Sequence, residues 1–459
     1  MTHDASRRAF LKRSSMLAMA GTAAPWALSL AAMSEAAAAT ATDYKALVCV
    51  FLYGGNDYGN TLIPYDATRY AAYQRMRPTL AYTQAQLAGT VLAPGVALAD
   101  GMQYALAPEL APLKPIFDSG RLGVMLNVGT LVQPTTKAQY TAGSVPLPPR
   151  LFSHNDQQSV WQASSPEGAT SGWGGRMGDL FESGNGNAVF TCVNVSGNAV
   201  YLSGRTATQY QVSVNGPVAL NGVAKPLFGS AACSTALRNL VTASSTNLFE
   251  NEYSRISARS LSAGSTLSAA LAAGPAITTP FPAPGTNPLA DQLKLVARMI
   301  STADAVGAKR QVFFVSMGGF DNHDGLATIH PGLLTSVAQA LSAFYAATQE
   351  LKVDGQVTTF TASDFGRTLT ANDGSDHGWG SMHFMLGGAV NGGRYYGTPP
   401  VVANDGPDDV GQGRLLPSTS VDQYAATMGK WLGIADSDLL TVLPNLANWD
   451  ASQRNLGFV

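Results

Sequence analysis

Residues that carry chemistry or cross-links are scarce in this chain: three cysteines and six histidines in 459 residues. Cys49, Cys192 and Cys233 are an odd set, and the first two lie in apolar, strand-like runs. Buried free thiols are therefore expected there, and no disulfide framework. No basic patch stands out along the chain, so the composition gives no reason to expect nucleic acid or anionic lipid as a partner. After the first 41 residues no apolar stretch is long enough to cross a bilayer, and no internal repeat is evident. The roughly four hundred residues that remain can bury a sizeable core, as one large α/β unit or as two domains.

What is present begins at the N-terminus. Ser6 to Lys12 read S-R-R-A-F-L-K, a paired-arginine run. An apolar stretch from Met16 to Met33 follows, broken by Gly21 and Pro25, and small residues crowd Ala36 to Ala41. A charged segment, a weak apolar segment and a small-residue cleavage zone make a removable export signal, not a bilayer span. The paired arginines assign it to the twin-arginine route, a receptor-read address that leaves no anchor behind. The expected division is residues 1–41 as signal and 42–459 as one domain in the periplasm or outside the cell. The signal carries Arg7, Arg8, Lys12 and Arg13 against Asp4 and Glu35, so removing its +2 from the formal charge of −2 leaves the mature chain near −4.

Lys45 to Tyr53 is a continuous apolar run ending in Gly54-Gly55, which predicts a strand buried on both faces, as in parallel sheets. Similar runs recur at Leu122–Val128, Val189–Val195, Gln311–Ser316, Val357–Ala362 and Phe384–Val390, with helical patterns between them at Asp291–Val306 and Leu333–Leu351. The alternation predicts a doubly wound, mostly parallel α/β sheet flanked by helices. Its ligand crevice belongs beyond the carboxyl ends of the strands. From Asn194 to Pro288 the composition shifts to Ser, Ala, Gly, Asn and Thr without a histidine, and Thr279–Pro288 is Pro-rich. That stretch reads as an insertion or cap, with a helical pattern over Ala236–Leu271.

One histidine leaves with the signal, and four of the other five fall in short segments also rich in Asp, Gly and Asn. Asp57 stands in G-G-N-D-Y-G-N after the first strand, as a ligand or as an Asx turn. Asp321 and His323 follow a later strand; two apart in extended chain they share a side, so one ion can take both. Asp364 stands second in S-D-F-G-R, and Asp376, His377 and His383 follow in D-H-G-W-G-S-M-H, where Gly378 and Gly380 let the backbone turn. An Asp beside a ligand His can instead fix its tautomer. Ser153 precedes His154-Asn155-Asp156, either as a helix cap or as a nucleophile at a helix N-terminus. Arg367 is a candidate clamp on a substrate oxygen, or a salt-bridge residue. His330, followed by Pro331, reads as a helix-entry residue and is not a candidate. A set of Asp and His without cysteine suits zinc, manganese or a similar divalent ion.

The runs L-V-C-V-F-L-Y-G-G-N-D-Y-G-N-T-L-I-P-Y-D, S-H-N-D, G-G-F-D-N-H and S-D-F-G-R-T…D-H-G-W-G…H-F-M-L-G-G-A-V-N-G-G-R-Y-Y-G resemble exported bacterial proteins grouped as domain of unknown function 1501. Through them the chain resembles the alkaline phosphatase and sulfatase superfamily, whose enzymes hold two divalent metals in an α/β sheet. The resemblance implies metal roles for Asp57, for Asp321 with His323, for Asp376 with His377, and for His383, with Ser153 in the nucleophile's place. Asp364 competes with Asp376, because superfamily strands commonly end directly in Asp-His. The sulfatase signature, Cys or Ser ahead of Pro-x-Arg, is absent, which disfavours sulfatase activity. The expected function is an exported hydrolase of phosphate or related esters with one or two zinc or manganese ions, acting on a small-molecule or polymer ester and meeting the twin-arginine translocase during export. The alternative from another class is a non-catalytic envelope assembly or binding protein on the same fold.

Overall fold

A computed structural model describes residues 43–459; the expected export signal, residues 1–41, lies outside the described residues. The strands are β1 (Lys45–Leu52), β2 (Leu62–Pro64), β3 (Tyr104–Leu106), β4 (Leu122–Gly129), β5 (Cys192–Asn194), β6 (Tyr210–Gln211), β7 (Arg310–Met317), β8 (Val357–Ser363), β9 (Arg367–Ala371), β10 (Ser375–His377), β11 (Ser381–Leu386), β12 (Tyr395–Tyr396) and β13 (Thr419–Ser420). The longer helices used below are α1 (Ala67–Met76), α2 (His154–Ala163), α3 (Trp173–Phe181), α4 (Ala231–Thr242), α5 (Leu248–Ala273), α6 (Pro288–Ser301), α7 (Leu326–Glu350) and α8 (Val421–Leu432).

Nine strands form the central sheet in the order β12-β4-β11-β8-β1-β7-β5-β6, with β13 also on β4. Every pairing is parallel except the two that β11 makes, with β4 and with β8. The run at Phe384–Val390, expected as one more strand, thus lies at Ser381–Leu386 and runs against its neighbours. The run at Val189–Val195 shortens to Cys192–Asn194, because Ala188–Phe190 forms a 3-10 turn.

Both faces of β1 are apolar because both are covered. Val48, Val50 and Leu52 join a core with α6 and α7, whereas Leu47, Cys49 and Phe51 join the opposite core with α3 and α8. Alternate side chains of a strand point to opposite faces, so a continuous apolar run is what a sheet sandwiched between helix layers requires. The stretch expected as an insertion supplies edge strand β6 and the helices α4 and α5; its first part enters the core through residues such as Tyr201, Leu202 and Val212, and of the two helices α5 reaches it, through Ala263, Leu267 and Ala270 in its second half. Among the described residues no helix is long and apolar enough to cross a membrane. Because β1, β7 and β8 are parallel neighbours, the loops after Leu52, Met317 and Ser363 emerge side by side at one edge.

Candidate metal centre

Three loops and a helix start meet at that edge because the backbones approach closely. Gly54 has φ +115, and a Cβ there would meet the Asp321 nitrogen at 2.4 Å. Gly374, between β9 and β10, faces the His323 carbonyl, where a Cβ would come within 2.1 Å. The first contact locks the β1 loop onto the β7 loop, and the second lays the β9–β10 hairpin beside His323. Phe152, just before α2, has φ +72, unusual for a bulky residue. Such a conformation costs about 1–3 kcal/mol and persists where surrounding contacts impose it. Here it points the Phe152 carbonyl at His377 Nδ1, 2.7 Å away.

The contacts of the imidazoles assign their protons. A carbonyl only accepts, so His377 carries its proton on Nδ1 and presents a bare lone pair at Nε2. His154 Nδ1 lies 2.7 Å from Asp364 Oδ2, so its proton also belongs on Nδ1, donated to the carboxylate. That carboxylate is buried and further held by Gln158 Nε2 at 2.7 Å and the Gly54 N–H at 3.2 Å. The two Nε2 atoms left over face each other at 3.0 Å, and His323 Nε2 stands 2.8 Å from His377 Nε2. The Asp321 carboxylate lies 3.3 Å from His154 Nε2, 3.2 Å from His377 Nε2 and 3.1 Å from His323 Nε2.

Facing lone pairs repel unless a proton or a metal ion lies between them. Donors at about 2.0–2.1 Å from a tetrahedral ion stand roughly 3.3 Å apart, close to the separations here. The donor set therefore fits a divalent metal. His154, Asp321 and His377 form one possible ligand group, and His323, Asp376 and His377 another. A buried carboxylate behind a ligand imidazole is the usual way of fixing its tautomer and raising its basicity. Asp364 does this for His154, whose pKa is raised chiefly by that hydrogen bond. Partial burial lowers the pKa of His377, with His154 and Arg367 adding to the effect. Burial opposes ionisation of Asp321, but the hydrogen bond and charge of Arg367 outweigh it, and the carboxyl stays below its ordinary value.

Arg367 is not free to clamp a substrate, as its sequence position allowed. It is 1% exposed, donates to Asp321 Oδ1 at 2.6 Å and to the Gly54 carbonyl at 2.9 Å, and also holds the Ser375 carbonyl. It is a positioning residue that ties the β1 loop, Asp321 and β10 together. The Ser153 hydroxyl is likewise engaged, donating to Asp156 Oδ2 at 3.1 Å, and it makes no cap bond to the α2 backbone.

Two expected ligands are placed away from the imidazoles. The Asp57 carboxylate is fully buried and already partnered: Arg77 Nη1 and Nη2 donate at 2.6 and 2.5 Å, Ser375 Oγ at 2.6 Å and the Asn60 N–H at 2.8 Å. Burial works against its ionisation, and the Arg77 guanidinium overcomes that and holds the carboxyl far below the ordinary range. His383 lies inside β11, edge-on to Trp161 and 3.3 Å from Thr361 Oγ1; burial pushes its pKa down to about 3. Asp376 sits 3.6 Å from His323 Nδ1 on the exposed side of the cluster. It lines a polar cleft of about 250 Å³ with Thr368, Thr370, Asn372 and Gln412.

Sequence reasoning missed His154, Gln158, Phe365 and Arg414. Phe365 packs against the rings of His154 and His377, both at 4.9 Å between centroids. Arg414 donates to the His377 carbonyl at 2.6 Å and lies over the Phe152 ring. The scarcity of histidine was the one available signal for His154; nothing local marks the other three.

A family model described as "Protein of unknown function (DUF1501)" matches residues 44–445. No curated protein matches the chain. Among solved structures, a sulfatase from Pseudoalteromonas sp. is 9% identical over 94% of this chain and 75% of its own, with a TM-score of 0.33. A Bacteroides thetaiotaomicron protein, reported under metabolism of multiple glycosaminoglycans, is 11% identical over 86% of this chain and 74% of its own, with a TM-score of 0.37. Alkaline phosphatase from the Antarctic bacterium TAB5 is 10% identical over 75% of this chain and 91% of its own, with a TM-score of 0.28. Likenesses this remote say nothing about chemistry.

Proposed function

The chain belongs to the DUF1501 family, and from that premise and the centre described above we propose that it binds one divalent cation, zinc or manganese, and hydrolyses a phosphate or related ester. The observation that carries the cation is the pair of Nε2 lone pairs facing each other at 3.0 Å, with both Nδ1 protons committed elsewhere and a carboxylate alongside. His154, His377 and Asp321 would hold the ion, with His323 as a further donor. The ester class rests on the resemblance of the G-G-F-D-N-H and D-H-G motifs to metal-dependent phosphatases; G-G-N-D, whose Asp57 is held by Arg77, lends it no support.

A divalent ion in this position would polarise an ester oxygen and lower the pKa of a water toward about 7. The chain's own groups do the rest. Asp364 and the Phe152 carbonyl hold the two imidazoles in the ligating tautomer. Arg367 keeps Asp321 ionised and aimed. Asp376, at the mouth of the polar cleft, is placed to accept a proton as water displaces the alcohol and the leaving oxygen takes one up. With the Ser153 hydroxyl given to Asp156, water is the nucleophile of this reading. Export by the twin-arginine route, and work outside the inner membrane, belong to the same proposal.

The test is elemental analysis of the purified protein, followed by a phosphomonoester, phosphodiester and sulfate ester panel with the metal restored. About one equivalent of a divalent ion and turnover of at least one ester support the proposal; less than about half an equivalent of any ion removes it. A full equivalent with no turnover on any ester leaves a metal site on a non-catalytic protein, and the hydrolase part fails.

A further inference from the structure

Nine of the twelve exposed large apolar side chains among the described residues fall between Val214 and Ile256, a stretch away from the metal centre. The most exposed are Phe228 at 91%, Phe249 at 89%, Leu248 at 85%, Leu240 at 73% and Tyr253 at 64%. On α5, Phe249, Tyr253 and Ile256 are spaced by four and three residues, so they share one helical face, and that face is turned to solvent. The residues that anchor α5 to the core, Ala263, Leu267 and Ala270, belong to its other half. The first half and α4 thus form a projecting hairpin with its apolar side outward. Scattered single apolar residues on a surface need no explanation, but three on one solvent-facing side of a helix, with Leu248 beside them in the chain, mark an interaction site.

Charge selects the occupant. Residues 214–262 hold Lys225, Arg238, Arg255 and Arg259, all exposed, against Glu250 and Glu252, in a chain whose formal charge is −2. Of the four cations only Arg255 meets a carboxylate among the described residues, Glu252 at 3.1 Å. A two-fold dimer through this hairpin would set the same cations against themselves. Exposed apolar side chains on helices with an excess of arginine and lysine, none long and apolar enough to cross a bilayer, instead match elements that lie in the plane of an anionic membrane surface. We propose that the α4–α5 hairpin docks the protein on a lipid surface bearing anionic headgroups, with Phe228, Leu248 and Phe249 entering the acyl boundary. The chain read linearly gave no basic patch. The four cations are spread over thirty-five residues, too widely for a linear reading to mark them as a patch.

The test is sedimentation of the full chain with vesicles of equal parts phosphatidylglycerol and phosphatidylcholine, and with pure phosphatidylcholine, at about 0.1 M salt. The wild type is expected to bind the anionic vesicles. A Phe228→Ser/Leu248→Ser/Phe249→Ser variant should bind at least about tenfold more weakly, and Arg238→Gln/Arg259→Gln should reduce the preference for phosphatidylglycerol. All three proteins carry the same residues 1–42, so any difference between them belongs to the hairpin. These side chains are exposed, so unchanged melting temperatures are expected and serve as the folding control. No binding by the wild type, or equal binding by the apolar variant, overturns the proposal. So does self-association of the wild type in the ultracentrifuge that the apolar variant abolishes, which would make a second copy the occupant.

Discussion

Asp57 and Asp321 read almost alike in the sequence, each following a buried strand in a run of Gly and Asn, yet the structure puts them to opposite uses. Asp57 is sealed: Arg77, from the end of α1, gives its carboxylate an internal cation, and the pair is 1% exposed or less. Asp321 stays half open, 45% exposed, and shares its face with three imidazole nitrogens, two of which, on His154 and His377, have their ring protons committed to the far side. A carboxylate that finds its cation within the chain is part of the scaffold. One that is gathered with lone pairs asks for a cation from outside. The difference teaches that the same local motif becomes frame or site according to what the rest of the fold brings to it.

The largest expected effect would break the sealed half. Arg77→Met leaves Asp57 buried without its partner and should lower unfolding stability in urea by about 3–5 kcal/mol. A folded, equally stable variant that lost its metal would instead make Asp57 a ligand and erase the distinction. The open half should respond the other way. His377→Ala is expected to weaken metal affinity at least a hundredfold, measured by competition with a chelator, while the metal-free protein changes stability by no more than about 1 kcal/mol. If the main result is loss of stability in the metal-free state, the cluster is structural and only the sealed half of the comparison survives.

Smaller effects sharpen the picture. Asp364→Asn removes the carboxylate behind His154 and should cost roughly 10–100-fold in metal affinity with the ion still bound at high concentration. No change in affinity would mean that His154 is not a ligand. The smallest effect belongs to Ser153→Ala. With its hydroxyl bonded to Asp156 and not to the helix backbone, its removal should leave metal content unaltered and stability lower by about 1 kcal/mol or less. Turnover of the best ester in the panel should stay within about threefold; complete loss with metal retained would return the nucleophile's role to Ser153.

Much of this is legible in the sequence. Continuous apolar runs reported strands buried on both faces, and polar, Gly-rich segments directly after them reported the edge where side chains meet. That placed Asp321, His323 and His377 on common ground. Sequence could not report what each carboxylate finds across the fold. Arg77, twenty residues beyond Asp57, reads as an ordinary residue at the end of a helix, and nothing local shows its guanidinium turned inward. His154 carries no such signal: Ser153 beside it suits a helix cap or a nucleophile, and only the fold decides which side of the turn faces the sheet. The reversed direction of β11 buries His383 two residues inside the sheet; its position after D-H-G-W-G had suggested a ligand.

The central claim is a single external cation shared by His154, His377 and Asp321, with Arg77 serving Asp57. Anomalous X-ray scattering at the absorption edge of the metal found in the purified protein tests it most directly. One peak within coordination distance of His154 Nε2, His377 Nε2 and an Asp321 oxygen, with none beside Asp57, is the predicted result. A peak at the Asp57 carboxylate with Arg77 displaced, or no peak among the imidazoles in a protein that carries its metal, would contradict the account.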